Sequence, residues 1–348
     1  MALSKIGTAG IADDTAVNGF TPTASNMAGR NRIINGSMVF DQRNAGASVT
    51  PTTTGFTLDR WQATVSTSSK FSVQQNAGSV TPPVGFKNYL GCTSLSAYSV
   101  GSGDYFMMRQ AIEGVNTSDF AWGTASASPI TISFWVRSSL TGTFGGAIEN
   151  NASNRSYPFS YTVSAANTWE QKSITIAGDT TGTWATDNSI GLMVAFSLGA
   201  GSTYSGTAGS WSSTRYFSAT GATSVVGTSG ATFYITGVQL EAGSVATPFE
   251  NVDYSEMFRR CQRYYQKNPT DFQTWMFTPE QLGSGYGRGT VYFPVYMRAA
   301  PVISGLAFYK SDYNTLGVQM ISVTSFSPYL NGMSSWNYLT EWQASSEL

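Results

Sequence analysis

The sequence predicts an all-β fold: a jelly-roll β-sandwich with a short helix leading to a smaller C-terminal β domain. Three observations carry that prediction. Charged residues are 11% of a 348-residue chain that contains 36 glycines, a composition of uncharged polar strands and turns rather than of helices. About eight short segments of alternating character follow one another with Gly-rich turns and no amphipathic helix between them. The clearest helix-start signal, Asp253-Tyr254-Ser255-Glu256, comes only after the last of them.

Residues 1–30 mix Gly, Ala, Thr, Asp and Asn with no helical or strand period, which predicts an arm that is disordered or orders only against a partner. From Ile33 to Glu250 the pattern is β, so residues 31–250 are read as the sandwich. Within it, Ile130, Ile132, Phe134 and Val136 alternate with Thr131, Ser133 and Arg137, giving one core face and one wet face. Trp135 is the exception, an aromatic on the polar side. Further strands are predicted at Trp61–Val65, Phe71–Gln75, Phe106–Ile112, Tyr157–Val163, Trp169–Ile176, Ile190–Leu198 and Thr232–Leu240, with turns such as Ala177–Gly182 between them.

Asp253 is placed to cap a helix and Glu256 to reach back to it. Met257, Phe258, Cys261, Tyr264 and Tyr265 then form one apolar stripe, with Arg259, Arg260, Arg263 and Lys267 around it and toward its end. After Pro269 strands return, over Gly289–Arg298 and Gly317–Val323. Residues 251–348 are thus a helix plus a β domain, rich in aromatics and suited to packing against copies of itself.

Composition excludes several functions. The chain has no histidine, which removes Ser-His-Asp and Cys-His catalysis, His-ligated zinc and an imidazole pH switch. Nineteen basic and 20 acidic residues give a net charge of −1, too little field to gather nucleic acid and little self-repulsion to oppose association. Cys92 and Cys261 are too few for a disulfide framework or a Cys₄ site and read as buried thiols. No signal-peptide pattern opens the chain and no apolar run reaches a membrane span, so neither secretion nor membrane insertion is expected. No cofactor or metal motif is legible. Gly283–Gly289 does not match a phosphate loop.

Glycoside hydrolysis needs only two carboxylates, and Asp59, Asp104, Glu113, Glu149, Glu170, Glu241 and Glu250 are available, none in a paired context. Asp59 beside Arg60 reads as an ion pair or turn residue. The expectation is therefore no catalytic residue and no enzyme. Sugar binding needs flat aromatic faces beside hydroxyls and amides. Trp135, Trp169 and Trp211 in the sandwich, and Trp275, Tyr286, Arg288 and Trp336 beyond it, are the candidate ligand-binding residues, with Trp184, Tyr204 and Trp342 also eligible.

Two passages carry a family resemblance. Phe233–Glu250 running into Cys261-Gln262-Arg263-Tyr264-Tyr265, and Asn31–Arg43 followed by Leu58-Asp59-Arg60-Trp61, resemble bacteriophage tail-fibre and virion surface proteins. The succession Ile132–Arg137, Thr168–Ile176 and Gly191–Phe196 is similar to carbohydrate-binding-module jelly rolls. The resemblance implies a homotrimeric tail fibre, assembled in the host cytoplasm and carried on the virion. Residues 1–30 would attach to another tail or capsid protein, and the distal part would contact a host surface glycan or protein. The alternatives are a capsid decoration or tail-adaptor protein without glycan binding, and a polysaccharide depolymerase.

Overall fold

The computed structural model describes residues 29–268, 286–309, 313–332 and 338–348. The arm predicted over residues 1–30 lies outside them apart from Gly29 and Arg30, which are held against the body: Gly29 donates its N–H to Glu250, and Arg30 Nε donates to Thr247 Oγ1 at 2.8 Å.

The body contains β1 (Gly55–Phe56), β2 (Gln62–Val65), β3 (Phe71–Gln75), β4 (Leu90–Ser94), β5 (Tyr105–Glu113), β6 (Ile130–Ser138), β7 (Gly142–Glu149), β8 (Ser156–Val163), β9 (Glu170–Ile176), β10 (Ile190–Ala200), β11 (Ser205–Gly206), β12 (Ser218–Ala219) and β13 (Thr232–Ala242). Two antiparallel sheets, β1-β2-β5-β10-β7-β8 and β3-β4-β13-β6-β9, face each other as a jelly-roll sandwich, with β11 and β12 a short parallel pair. Their inner faces meet in one core in which Phe106, Ile132, Phe134, Phe196, Phe233 and Leu240 interlock around Trp61. The core face read in β6 holds, with Ile130, Ile132, Phe134 and Val136 buried, but the wet face does not: Thr131 and Ser133 are buried too, Thr131 donating to Gly243 O at 2.8 Å, and only Trp135 and Arg137 are half-buried on the outer face.

Five body strands escaped the sequence pattern: β4, β7 and the two-residue β1, β11 and β12. In β7 the glycines mask the period, and packing explains them. A Cβ on Gly146 would strike the carbonyl of Ala195 and the ring of Phe159, so only glycine lets β7 lie this close to its neighbours. Near its middle, β13 shifts register between Thr236 and Gln239, with Gly237 at φ 60°. That bulge frees Val238 to donate to Gly36 O at 2.9 Å, while Arg32 N donates to Leu240 O at 2.9 Å.

Past the body come α1 (Tyr254–Gln262), β14 (Tyr265–Lys267), β15 (Tyr286–Arg288), β16 (Val291–Tyr292), β17 (Val302–Phe308), β18 (Thr315–Gln319), β19 (Ser325–Asn331) and β20 (Leu339–Ser345). They form the smaller C-terminal β domain, with sheets β14-β20-β17 and β15-β19-β16 and β18 paired to β19. Its core is Val291, Phe293, Met297, Phe326, Leu339, Trp342 and Ala344. The strand expected over Gly289–Arg298 shrinks to Val291–Tyr292, because Pro294 has no N–H to extend a ladder. The one expected over Gly317–Val323 ends at Gln319.

Asp253 caps α1 by accepting from Ser255 N at 2.9 Å and Glu256 N at 3.4 Å. Glu256 does not reach back as expected; it pairs with Arg260 at 3.1 Å, an i,i+4 partner one turn along. Met257, Cys261, Tyr264 and Tyr265 are buried as the stripe predicted, and both cysteines are free, buried thiols.

The two passages with distinctive wording meet at the joint between body and C-terminal domain. Asn35 holds its own turn, donating to Phe40 O at 2.8 Å and Asp59 O at 3.0 Å, while Trp61 Nε1 donates to Asn35 O at 3.2 Å. Arg60, 1% exposed and at φ 69°, lies 3.5 Å over the Tyr264 ring, donates to Ala111 O at 2.6 Å and pairs with Glu347. Arg43 lies 3.7 Å over Tyr265 and pairs with Asp59 at 3.3 Å and Glu347 at 3.0 Å. Asp59 therefore pairs with Arg43 and not with its neighbour Arg60, whose left-handed backbone sends its side chain to the chain terminus. Burial pushes the Asp59 carboxyl up to about 6 against the pull of Arg43 and Gln42. Arg263 grips Glu113 through two bonds of 2.9 Å, and the Tyr264 hydroxyl donates to the same carboxylate.

Candidate functional site

A cluster of aromatic rings lies at one edge of the sandwich, where the connections after β5, β7, β9 and β11 meet. Phe120 ends a short helical turn, and Ala121, at φ 53°, swings Trp122 away from it. Gly123 follows at φ 83°, donating to Asp179 O at 2.7 Å, where any Cβ would meet Gly182 O at 2.8 Å. Trp122 packs edge-on against Trp184 (centroids 4.7 Å, 78°) and Trp211 (5.2 Å, 82°), and Trp184 meets Trp211 at 5.5 Å. Tyr157 closes the group at 5.2 Å from Trp211. Such perpendicular contacts place the positive edge of one ring on the negative face of the next.

Each indole N–H is already used: Trp122 donates to Ser128 O at 2.7 Å, Trp184 to Thr181 O at 3.1 Å and Trp211 to Ala177 O at 2.8 Å. Ring orientation is thereby fixed, and what remains to offer is ring face. Beneath the cluster Arg155 clamps Asp179 through two bonds of 2.7 Å, and Thr181 adds backbone and hydroxyl donors at 3.1 and 3.0 Å. Burial opposes ionisation of Asp179, but these donors outweigh it and hold the carboxyl below its ordinary range. Trp122 is 7% exposed, while Trp184 and Trp211 are half-buried.

A cavity of about 270 Å³ opens beside these rings. Apolar Phe120, Trp122, Trp184 and Leu192 line it together with the hydroxyl side chains of Thr117, Ser118, Thr124 and Thr186, the first three of which donate to the Gly114, Val115 and Ala121 carbonyls and keep their lone pairs to accept. Apolar rings beside hydroxyls match the one apolar face and polar rim of a pyranose ring.

Of the residues expected from sequence, Trp211 and the also-eligible Trp184 belong to this cluster. Trp135 sits on the outer face of the five-stranded sheet, next to Gly237, and Trp169 packs on Tyr89 at 5.5 Å while donating to Thr81 O at 2.9 Å. Neither shares a ring contact with the cluster. Arg288 is exposed in β15, its guanidinium 2.6 Å from Met320 Sδ. Trp275, Trp336 and the Tyr286 side chain lie outside the described residues. Trp122, Phe120 and Tyr157 were missed; the usable signal was Phe120-Ala121-Trp122-Gly123, two aromatics flanking a small residue ahead of a turn glycine.

The carboxylates named from sequence are all engaged. Glu149 pairs with Arg215 at 2.7 Å and Arg109 at 3.6 Å; Glu170 with Lys172 at 2.6 Å; Glu241 with Arg30 at 3.8 Å. Asp104 accepts from Tyr98, Ser66 and Gly101 at 2.8–2.9 Å, and Glu250 from Asn31 N at 2.8 Å. Among the described residues no group of three or more Cys, Asp or Glu is placed to hold a metal ion.

No family model and no curated protein matches the chain. Solved structures that resemble it include the enzymatically active domain of tailspike protein 4 of bacteriophage CBA120, with TM-score 0.35 and 12% identity over 62% of this chain and 22% of that one. A family 11 carbohydrate-binding module from Clostridium thermocellum, in complex with a mixed-linked tetrasaccharide, has TM-score 0.29 and 14% identity over 54% and 91% of the two chains. A family 61 module in complex with β-1,4-galactotriose has TM-score 0.31 and 9% identity over 62% and 99%. At such low identity and overlap the site rests on its own geometry.

Proposed function

We propose that this chain is a non-enzymatic attachment protein whose jelly-roll body holds one sugar ring of a surface glycan in the pocket beside Trp122 and Trp184. The observation that carries the reading is the pocket itself, lined by aromatic rings together with four hydroxyl side chains. Its volume of about 270 Å³ lies just under the range typical of drug-sized ligands, which suits a single ring and modest affinity. Attachment then depends on several copies acting together through effective concentration.

Self-association has a surface to use. Tyr292, Tyr296, Val302 and Met320 of the C-terminal domain are each more than two-thirds exposed, apolar area that copies of the chain would cover. A homotrimeric phage tail fibre, with residues 1–30 as the virion attachment arm, is the assembly that the sequence resemblance favours. The ion pairs and hydrogen bonds of the carboxylates named from sequence support adhesion rather than depolymerase chemistry, since a hydrolase needs one carboxyl free to donate a proton and another free to attack or to activate water.

A glycan array probed with the purified oligomer, repeated with Trp184→Ala and Trp135→Ala, tests the reading. Wild type and Trp135→Ala should bind a common set of glycans and Trp184→Ala should lose it while unfolding cooperatively. Absence of any wild-type binding would favour the decoration or adaptor reading, and release of reducing ends from host polysaccharide would favour the depolymerase.

A further inference from the structure

The aromatic pocket has a neighbour. On the other side of the turn Gly114–Phe120 lies a larger cavity of about 520 Å³, lined by Gly29, Asn31, Arg32, Ile34, Val115, Asn116, Arg260, Arg263 and Tyr264. The same turn supplies Thr117, Ser118 and Phe120 to the first pocket and Val115 and Asn116 to the second, so one wall serves both. Arg32 spans it: its guanidinium lies 5.5 Å over the Phe120 ring and pairs with Asp119 at 2.6 Å.

Three arginines thus line one cavity, each paired with a single carboxylate. Arg260 uses Nε on Glu256, and Arg263 uses Nε and one terminal nitrogen on Glu113. Arg32 uses one terminal nitrogen on Asp119, and its Nε is buried with no hydrogen-bond partner. Each guanidinium has five N–H donors, so every one of the three has donors left over, and a buried N–H without an acceptor is destabilising. A planar carboxylate is the acceptor such forks fit best.

We infer that the two cavities form one extended site for an acidic polysaccharide, with a sugar ring against Trp122 and Trp184 and the carboxylate of an adjoining uronic acid residue among Arg32, Arg260 and Arg263. This rests on the glycan-binding reading of the aromatic pocket and adds to it the charge class of the polymer. Because Asp119, Glu256 and Glu113 roughly balance the three arginines, the site draws acid by local donor geometry more than by long-range field.

The test measures binding of the full chain to polygalacturonate, alginate and hyaluronate, each beside its carboxyl-reduced form, at low and moderate salt. The expected result is that at least one acidic polymer binds about tenfold more tightly than its reduced form. The double variant Arg32→Gln, Arg260→Gln should erase that preference while keeping binding to the reduced form, and Trp184→Ala should weaken both. Arg260→Gln alone, at a half-buried helix position, serves if the double variant does not fold, with a smaller loss of the same preference. Equal binding of acidic and reduced forms overturns the inference and leaves the glycan reading standing. Failure of the wild-type chain to bind any glycan, here and on the array, overturns both.

Discussion

At the joint, Arg60 lies 3.5 Å over the Tyr264 ring with its charge closed off by Glu347 and the Ala111 carbonyl; at the tryptophan edge, Arg155 lies 5.8 Å from the Trp211 ring and pairs with Asp179. Both regions combine arginine, a carboxylate and aromatic rings. They differ in what is left over. The joint stacks Arg60 on Tyr264 and leaves it 1% exposed, whereas the edge uses its indole N–H groups internally and leaves Trp184 and Trp211 half open. Distinctive wording in this sequence therefore marks where the chain holds itself together.

The same substitution in both regions is the sharpest way to break that comparison. Arg60→Met leaves Glu347 buried beside Arg43 alone and should cost roughly 3–5 kcal/mol, the usual penalty for removing one member of a buried charge network. Arg155→Met acts on a side chain 17% exposed and should cost clearly less, about 1–2 kcal/mol, through Asp179. Urea unfolding of the two variants measures both. Equal losses would mean that the joint is no more closed than the edge.

Acid response should also separate the two regions. Asp59 has its carboxyl raised from 3.8 to about 6 by burial. A raised folded pKa contributes stability that is present below about pH 4 and lost as pH rises through 6, here by up to about 3 kcal/mol. Asp179 runs the other way, because its lowered pKa gives stability at neutral pH that is lost as pH falls through the folded value. Asp59→Asn should flatten the decline in stability between pH 4 and 8, and Asp179→Asn should lower stability at neutral pH and leave the acid limit unchanged. Superimposable wild-type and Asp59→Asn profiles would show that Asp59 is as well solvated as an ordinary surface carboxylate.

The sandwich was largely legible because the apolar residues of a strand such as Ile130–Val136 recur with a period of two, although burial on both faces blurs that period in Phe106–Ile112, where Met107 and Ala111 are buried as well. β7 was not, since Gly142, Gly145 and Gly146 answer to close approach by neighbours far away in sequence. The site was legible in kind but not in place. Aromatics near Ser/Thr turns can be counted from sequence, yet Trp122, Trp184 and Trp211 become neighbours only when three separate turns meet. Trp135 stood out by breaking an alternation, a local signal that says which way a side chain points and nothing of its company.

Within the surface aromatics, a graded pair refines the contrast. Trp184→Ala should lower glycan affinity by about 2 kcal/mol, roughly thirtyfold, as truncation of a central ring anchor does. Its effect on the thermal midpoint should be a few degrees, since the ring is only half-buried. Trp135→Ala should leave affinity unchanged. The reverse ranking, read by affinity electrophoresis, would move the site to the outer face of the five-stranded sheet.

The smallest effect is expected at Arg288. Its side chain is exposed and its described polar contact is with Met320 Sδ, so Arg288→Ala should change stability by no more than about 0.5 kcal/mol. Glycan affinity should not move, because β15 belongs to the C-terminal sheets and contributes nothing to either cavity at the sandwich edge. A loss of binding here as large as that of Trp184→Ala, with unfolding unchanged, would transfer the adhesive role to the C-terminal domain, whose Trp275, Tyr286 and Trp336 carry the same chemistry. The joint would then keep its structural role, and the tryptophan edge would join it as packing.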